Sequence, residues 1–207
     1  MEHAKLIRRD LAGEVLLEFL GMFGVVIHWI VQLIYTIGHS TRNLEEFIRL
    51  LRENGIRRLA DIRRFPGSRR HPHFSRDALS ISLAAEGIQY EHFEELGGRR
   101  KALGPSENNA LHNEQFRAYA DYMASPEFRQ AVDRLLDSEL RTAYMCAEAV
   151  PWRCHRNLLS DEMVRRGIRV AHILERGSRR EHALNPIARI VGDRVVYRVD
   201  EQTTFAE

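Results

Sequence analysis

Only two cysteines, Cys146 and Cys154, occur among the 207 residues, and no secretory pattern accompanies them. That scarcity excludes a disulfide-stapled scaffold and fits a reducing compartment, so the sequence reads as cytoplasmic. An excess of one charge is equally lacking. The 31 basic and 29 acidic residues leave a net charge of +2, too small to establish a nucleic-acid partner. Aromatic residues make up 8% of the chain, a modest supply for base stacking. No RNA-binding or helix-turn-helix signature is present, and there is no internal repeat or low-complexity tract. What remains is ordinary globular material, 44% hydrophobic and 29% charged. The length suits one domain that buries roughly 70% of its unfolded surface.

One long apolar run does occur. Residues 19–37 contain only three clearly polar side chains, His28, Gln32 and Thr36. Its length approaches that of a membrane span. Glu14 and Glu18 lie just before it, however, and residues 33–37 read better as a first strand. Removing that strand leaves about 14 residues, short for a span. Residues 1–32 are therefore expected to be an amphipathic or partly disordered N-terminal extension, and residues 33–207 a single α/β domain. No membrane partner is preferred, an anchor being the alternative.

From residue 33 the chain alternates strand-like and helix-like segments. Residues 33–37 are β-rich and end at Gly38. Asn43 and Glu46 then form a capping box, the asparagine accepting from an early N–H while the glutamate reaches back. Leu44, Phe47, Ile48, Leu50 and Leu51 give an apolar helical stripe that stops near Asn54-Gly55. Strands are expected over 56–62, 88–93, 142–146 and 169–174. Helices are expected over 76–86, 157–166 and 114–139, the last broken where Ser125-Pro126 offers a fresh start. Residues 188–199 read as a hairpin turning at Gly192-Asp193. This alternation predicts an α/β fold: a mainly parallel five-stranded sheet with helices on both faces, right-handed crossovers and a C-terminal β-hairpin.

Four loops that follow strand ends are unusually polar, and open α/β sheets place their ligands at that edge. The first is Gly38-His39-Ser40-Thr41, where a glycine permits a tight turn. Its N–H groups and hydroxyls precede a helix, which suits an anion. His39 is equally compatible with a packed histidine, and Ser40 with a cap. The second is Asp61-Ile62-Arg63-Arg64-Phe65-Pro66-Gly67-Ser68. Asp61 and Arg63 point to the same side of a strand and can pair or share a ligand, and an arginine fork matches phosphate or carboxylate. Around it, Arg57, Arg58, Arg63, Arg64, Arg69, Arg70 and Arg76 face one acid, Asp61, and that local excess attracts anions.

The third loop, Leu96-Gly97-Gly98-Arg99-Arg100-Lys101, combines a glycine pair that allows close backbone approach with three cations. It is not a Walker loop, since no Gly-Lys-Ser/Thr follows. The fourth, Cys146 to Arg156, holds both thiols with Glu148, Arg153, His155 and Arg156. A thiolate near helix N–H groups and arginines is a competent nucleophile or redox group. Alternatively, Cys146, Cys154 and His155 could bind zinc, with His39, His71, His73 or Glu148 as fourth ligand. The sequence requires no cofactor. Inert buried thiols are the third option.

The combination of Thr36-Ile-Gly-His-Ser40, Asp61-Ile-Arg63 with Pro66 and Ser68, Leu96-Gly-Gly98, and Cys146-x-Glu148…Cys154-His-Arg156 resembles the domain-of-unknown-function 488 family. The tail, Asn185-Pro-Ile-Ala-Arg189 with Gly192 and Tyr197, is similar to that family's ending. The resemblance covers about residues 33–199. It implies a cytosolic bacterial or archaeal α/β domain and carries no agreed activity. His39, Asp61, Arg63, Cys146, Glu148, Cys154, His155 and Arg156 are the positions that match.

Three functions follow as expectations. The first is an enzyme with a basic, thiol- and histidine-containing pocket for a phosphate-bearing or otherwise anionic substrate, a nucleotide or nucleic-acid component among them. Arg63 and Arg156 would anchor it with Ser40, Asp61, Ser68, Gly97, Gly98 and Arg99. Cys146 or Cys154 would do nucleophilic or redox work beside Glu148, with His39 or His155 moving protons. The second is a non-catalytic nucleic-acid-binding module using the arginine-rich segment. The third is the zinc site. No oligomeric state follows from the sequence.

Overall fold

Alternating burial organises the sheet. Each residue of Thr142–Cys146 is buried, yet Ala143 and Met145 join one apolar cluster while Tyr144 and Cys146 join the other. Successive strand side chains point to opposite faces, so such a strand must be covered on both. The computed structural model describes residues 32–67 and 71–199, together with the backbone of three strands before residue 31.

Those three, β1 (Lys5–Arg9), β2 (Val15–Leu20) and β3 (Val26–Ile30), pair antiparallel in the order β1-β2-β3. The expected amphipathic or partly disordered character of residues 1–32 rests on side chains and segments outside the described residues. Among the described residues no helix is long and apolar enough to cross a membrane.

The main chain of elements runs β4 (Leu33–Gly38), α1 (Leu44–Glu53), β5 (Arg58–Asp61), α2 (Arg76–Ala85), β6 (Gln89–His92), α3 (Glu114–Tyr122), α4 (Pro126–Leu136), β7 (Thr142–Cys146), α5 (Arg156–Arg165), β8 (Arg169–Glu175), β9 (Ser178–Glu181), β10 (Ala188–Val191) and β11 (Arg194–Tyr197). The order in the sheet is β6-β5-β7-β4-β8-β9. The first five strands are parallel, as expected from the alternation, and β10–β11 form the separate hairpin. The sixth strand, β9, was not expected. Its sequence Ser-Arg-Arg-Glu is polar because it pairs antiparallel at an edge, where three of its four residues are exposed.

Local chemistry explains the boundaries. The Asn43 side chain accepts from the Glu46 N–H at 2.8 Å, capping α1. The Glu46 carboxylate pairs with Arg42 Nε at 3.3 Å instead of closing a capping box. Gly55, at φ 64, lets the Ile56 N–H reach back to the Leu51 carbonyl and ends the helix. Ser125 accepts from the Phe128 N–H and Pro126 occupies the first turn, so the long helical stretch becomes α3 and α4.

Phe47, Leu50 and Leu51 of α1 and Leu79 and Leu83 of α2 cover one face of the sheet. Tyr119, Phe128, Val132, Leu158, Leu159 and Met163 of α3, α4 and α5 cover the other, joined by Val195 and Tyr197 of the hairpin. The neighbours β5 and β7 therefore send their next helices to opposite faces. That divergence opens a crevice at the carboxyl ends of these strands, the place where such sheets bind ligands.

A buried polar chain ties β4 and β8 to α5 and the hairpin. Thr36 Oγ1 meets His172 Nδ1 at 2.8 Å, and His172 Nε2 meets His182 Nδ1 at 3.0 Å. His182 Nε2 meets Asp161 Oδ1 at 2.9 Å. The fully buried Asp161 also accepts from the Asn185 N–H and from the Tyr197 hydroxyl.

Candidate functional site

Cys146 ends β7, and Cys154 follows a single 3-10 turn, Pro151–Arg153, that leads into α5. The two sulfurs lie 2.8 Å apart and both thiols are free. Burial alone would raise the pKa of Cys146. The hydrogen bond from Cys154 and the charge of Arg156 outweigh it, so Cys146 titrates below an ordinary thiol. Cys154 is pushed the other way by burial, then by its hydrogen bond to Cys146 and the charge there. The two thiols are thus pushed in opposite directions, with Cys154 donating its hydrogen bond to Cys146.

Arg156 supplies the charge. The residue is 1% exposed, and Nη2 donates to the Glu148 and Ala149 carbonyls, both at 3.2 Å. Nε and Nη1 have no hydrogen-bond partner, and no described carboxylate pairs with the group. A buried cation without an anion is costly. The charge of Arg156 favours the ionised form of Cys146. The Arg156 backbone N–H also points at Cys154 Sγ, 3.5 Å away at the start of α5.

His155 sits between the thiols and the adjacent strand end. Its Nε2–H donates to the Ile62 carbonyl at 3.3 Å, leaving Nδ1 as an acceptor 3.4 Å from Cys154 Sγ. Burial lowers its pKa to about 4, so the ring is a neutral base. Two glycines make this arrangement possible. A Cβ on Gly38 would lie 1.7 Å from the Glu148 carbonyl oxygen, and one on Gly98 would lie 2.8 Å from His155 Nδ1. Gly97 has the same relation to the Arg64 backbone, at 2.7 Å. Gly38 thus serves close approach between loops. The positive φ in its turn belongs to Ser40, at 49°.

The Gly-His-Ser loop departs from its expected role as an anion cradle. The His39 N–H donates to the Cys146 carbonyl and the Ser40 N–H to the Ala147 carbonyl, so both are occupied. The His39 ring stacks on Phe74 at 4.4 Å, donates from Nδ1 to the Ser40 carbonyl and accepts from Arg63 at Nε2. Burial, then the Arg63 charge, lowers its pKa to about 4. Asp61 is fully buried and accepts from the Arg63 guanidinium, the Arg63 N–H and the Tyr90 hydroxyl. Arg63 also donates to the Phe74 carbonyl at 2.8 Å. The pairing expected of Asp61 and Arg63 is present, and it neutralises the arginine.

A cleft of about 350 Å³ opens where β5 and β7 diverge. Cys146, Glu148, Cys154 and His155 line it together with Arg63, Gly98 and Arg99. His39, Ser40, Asp61, Gly97 and Arg156 are not among its lining residues, and Ser68 lies outside the described residues. Arg64, Phe65, Gly67 and Arg153 complete the rim with Ala147, Gln115 and Phe116. Gln115 and Phe116 carried no sequence signal beyond their place in the first turn of α3, where Asn113 caps both N–H groups.

The basic patch is smaller than the arginine count implied. Arg58 is buried and pairs with Glu91 at 2.6 Å, Arg63 is neutralised, and Arg69 and Arg70 lie outside the described residues. Arg64 and Arg99 remain on the cleft, and Arg99 adopts a left-handed conformation at φ 60. With Arg100, Lys101 and Phe65 they also line an adjoining hollow of about 420 Å³. A separate hollow of about 460 Å³ beside the hairpin holds neither thiol nor histidine. Its ionised groups pair within the protein, as Arg129 with Asp193 and Arg194 with Glu107.

No cluster of three or more His, Cys, Asp or Glu among the described residues is arranged to hold a metal ion. Two zinc-bound thiolates sit well over 3 Å apart given zinc–sulfur bonds of about 2.3 Å, so the 2.8 Å sulfur pair does not fit that alternative. A family model described as "Domain of unknown function DUF488" matches residues 43–163, more than half of the chain. No curated protein and no solved structure matches it.

Proposed function

We infer that this chain, which belongs to the domain of unknown function DUF488 family, is an enzyme that uses Cys146 as a thiolate nucleophile on a small anionic substrate. One observation carries the reading. The thiol at the end of β7 lines a cleft and lies beside a buried arginine that has no carboxylate of its own. Arg64, Arg99 and Arg153 provide charge on the rim for phosphate or carboxylate. Arg156 acts on the thiolate from behind, and Asp61 and His39 hold Arg63 in place. Two free thiols at the site fit a reducing compartment, and we place the protein in the cytoplasm.

Alkylation kinetics test this. Cys146 in the native protein should react with iodoacetamide at neutral pH about ten-fold faster than an unperturbed thiol. Negatively charged iodoacetate should gain a further advantage from the rim cations. Cys146→Ser should abolish the fast phase and Cys154→Ser should retain it. Wild-type reactivity in both variants removes the nucleophile.

The hollow formed by Arg64, Arg99, Arg100 and Lys101 with the exposed Phe65 favours a second reading, a non-catalytic nucleic-acid-binding module. That reading requires an affinity for DNA or RNA that falls steeply with salt, because bound counterions are released. An absent or salt-insensitive interaction eliminates it.

A further inference from the structure

We propose that Cys146 and Cys154 work as a redox couple on small anionic disulfides, with Cys146 opening the substrate's S–S bond and Cys154 closing a Cys146–Cys154 bond in its place. The proposal rests on Cys146 as the nucleophile and gives the second thiol its task. Both sulfurs line the same cleft and lie 2.8 Å apart, close enough to bond with a small shift of either side chain. They are the only two thiols of the chain, so any internal resolution of a Cys146 adduct falls to Cys154.

The order of events follows from the hydrogen bonds. The Cys146 thiolate attacks one sulfur of the substrate. The S–S bond breaks, and the departing half leaves as a thiolate past the rim arginines. Cys146 is then neutral, held in a mixed disulfide. Cys154 has lost its acceptor and the negative charge that, after burial, held its proton. His155 Nδ1 is 3.4 Å away, with its lone pair kept free because Nε2–H is committed to the Ile62 carbonyl. As Cys154 attacks Cys146 Sγ, its proton shifts toward that ring. The second half leaves as a thiolate and takes the proton from His155. The protein dithiol is oxidised by two electrons and one disulfide is reduced to two thiols. A soluble dithiol restores the pair for another cycle.

Dithiobis(nitrobenzoate), a dianionic aromatic disulfide, serves as the probe. Wild-type protein should release two equivalents of thionitrobenzoate per chain and end two hydrogens lighter, with no adduct by intact mass. Cys154→Ser should release one equivalent and retain the adduct. Cys146→Ser should lose the fast release. The wild-type stoichiometry stands even if a variant folds poorly. A wild-type protein that keeps the adduct, while iodoacetamide still alkylates Cys146 rapidly, overturns the redox couple and leaves the nucleophile. Slow reaction of Cys146 with both reagents sinks both readings.

Discussion

Two buried arginines lie near the cleft, Arg63 just past β5 and Arg156 at the start of α5, and each has a histidine beside it. Arg63 has Asp61 as a bidentate carboxylate, the Phe74 carbonyl and His39. Arg156 has two backbone carbonyls, two unpartnered nitrogens and, in place of a carboxylate, Cys146. The first cation is held by a bidentate carboxylate. The second has no carboxylate partner among the described residues, and its charge favours the thiolate form of Cys146. The same residue type is thus paired with a carboxylate just past β5 and left without one at the start of α5.

Removing the carboxylate gives the largest contrast. Asp61→Ala leaves Arg63 buried without a counter-charge, and breaking a buried pair in this way costs about 3–5 kcal/mol. Urea denaturation should show that loss. Wild-type stability would mean that Arg63 reaches water and that the two arginines are alike.

Acid acts next, on the histidines of both clusters. The folded pKa of His155 is about 4 against an ordinary 6.5, and that of His39 is also about 4. Unfolded chains take up these protons first as the pH drops. The stability from keeping the rings neutral is complete above 6.5 and is lost as pH falls toward 4. For His155 alone the loss is about 3 kcal/mol. His155→Gln should flatten the denaturation profile over that window, and an unchanged slope would contradict the neutral ring.

The smallest change is chemical. Arg156→Met should move the pH midpoint of Cys146 alkylation upward and slow the reaction at neutral pH by about ten-fold, one pKa unit. Its stability cost should be smaller than that of Asp61→Ala, because no carboxylate is left behind in the interior. An unmoved midpoint would show that Cys154 alone sets the thiolate.

The strand-end loops were legible from the chain because β-rich runs stop at Ile37, Ile62, Phe93 and Cys146, and topology carries such ends to one edge. Arg63, Gly98, Arg99, Cys146, Glu148, Cys154 and His155 met there as the alternation implied. What could not be read were contacts between distant segments. Gly38 looked like a turn residue, and its neighbour proved to be a carbonyl 110 positions away. Arg58 counted toward a basic patch until Glu91 took it up. β9 hid because an edge strand of charged residues has no apolar period to detect. The link from Thr36 to His172 joins residues 136 apart, beyond any local pattern.

Asp161 sets a limit on how the protein can be shortened. A fragment trimmed at residue 163, where the family match ends, would keep this carboxylate and discard all three of its donors, His182, Asn185 and Tyr197. It would also delete β8, leaving β4 without its neighbour on that side. Helix α5, which begins at Arg156, would rest on an exposed sheet edge above an unsolvated negative charge. The last fifth of the polypeptide, which lines none of the cleft, is the footing on which the Cys146–Arg156 loop is mounted.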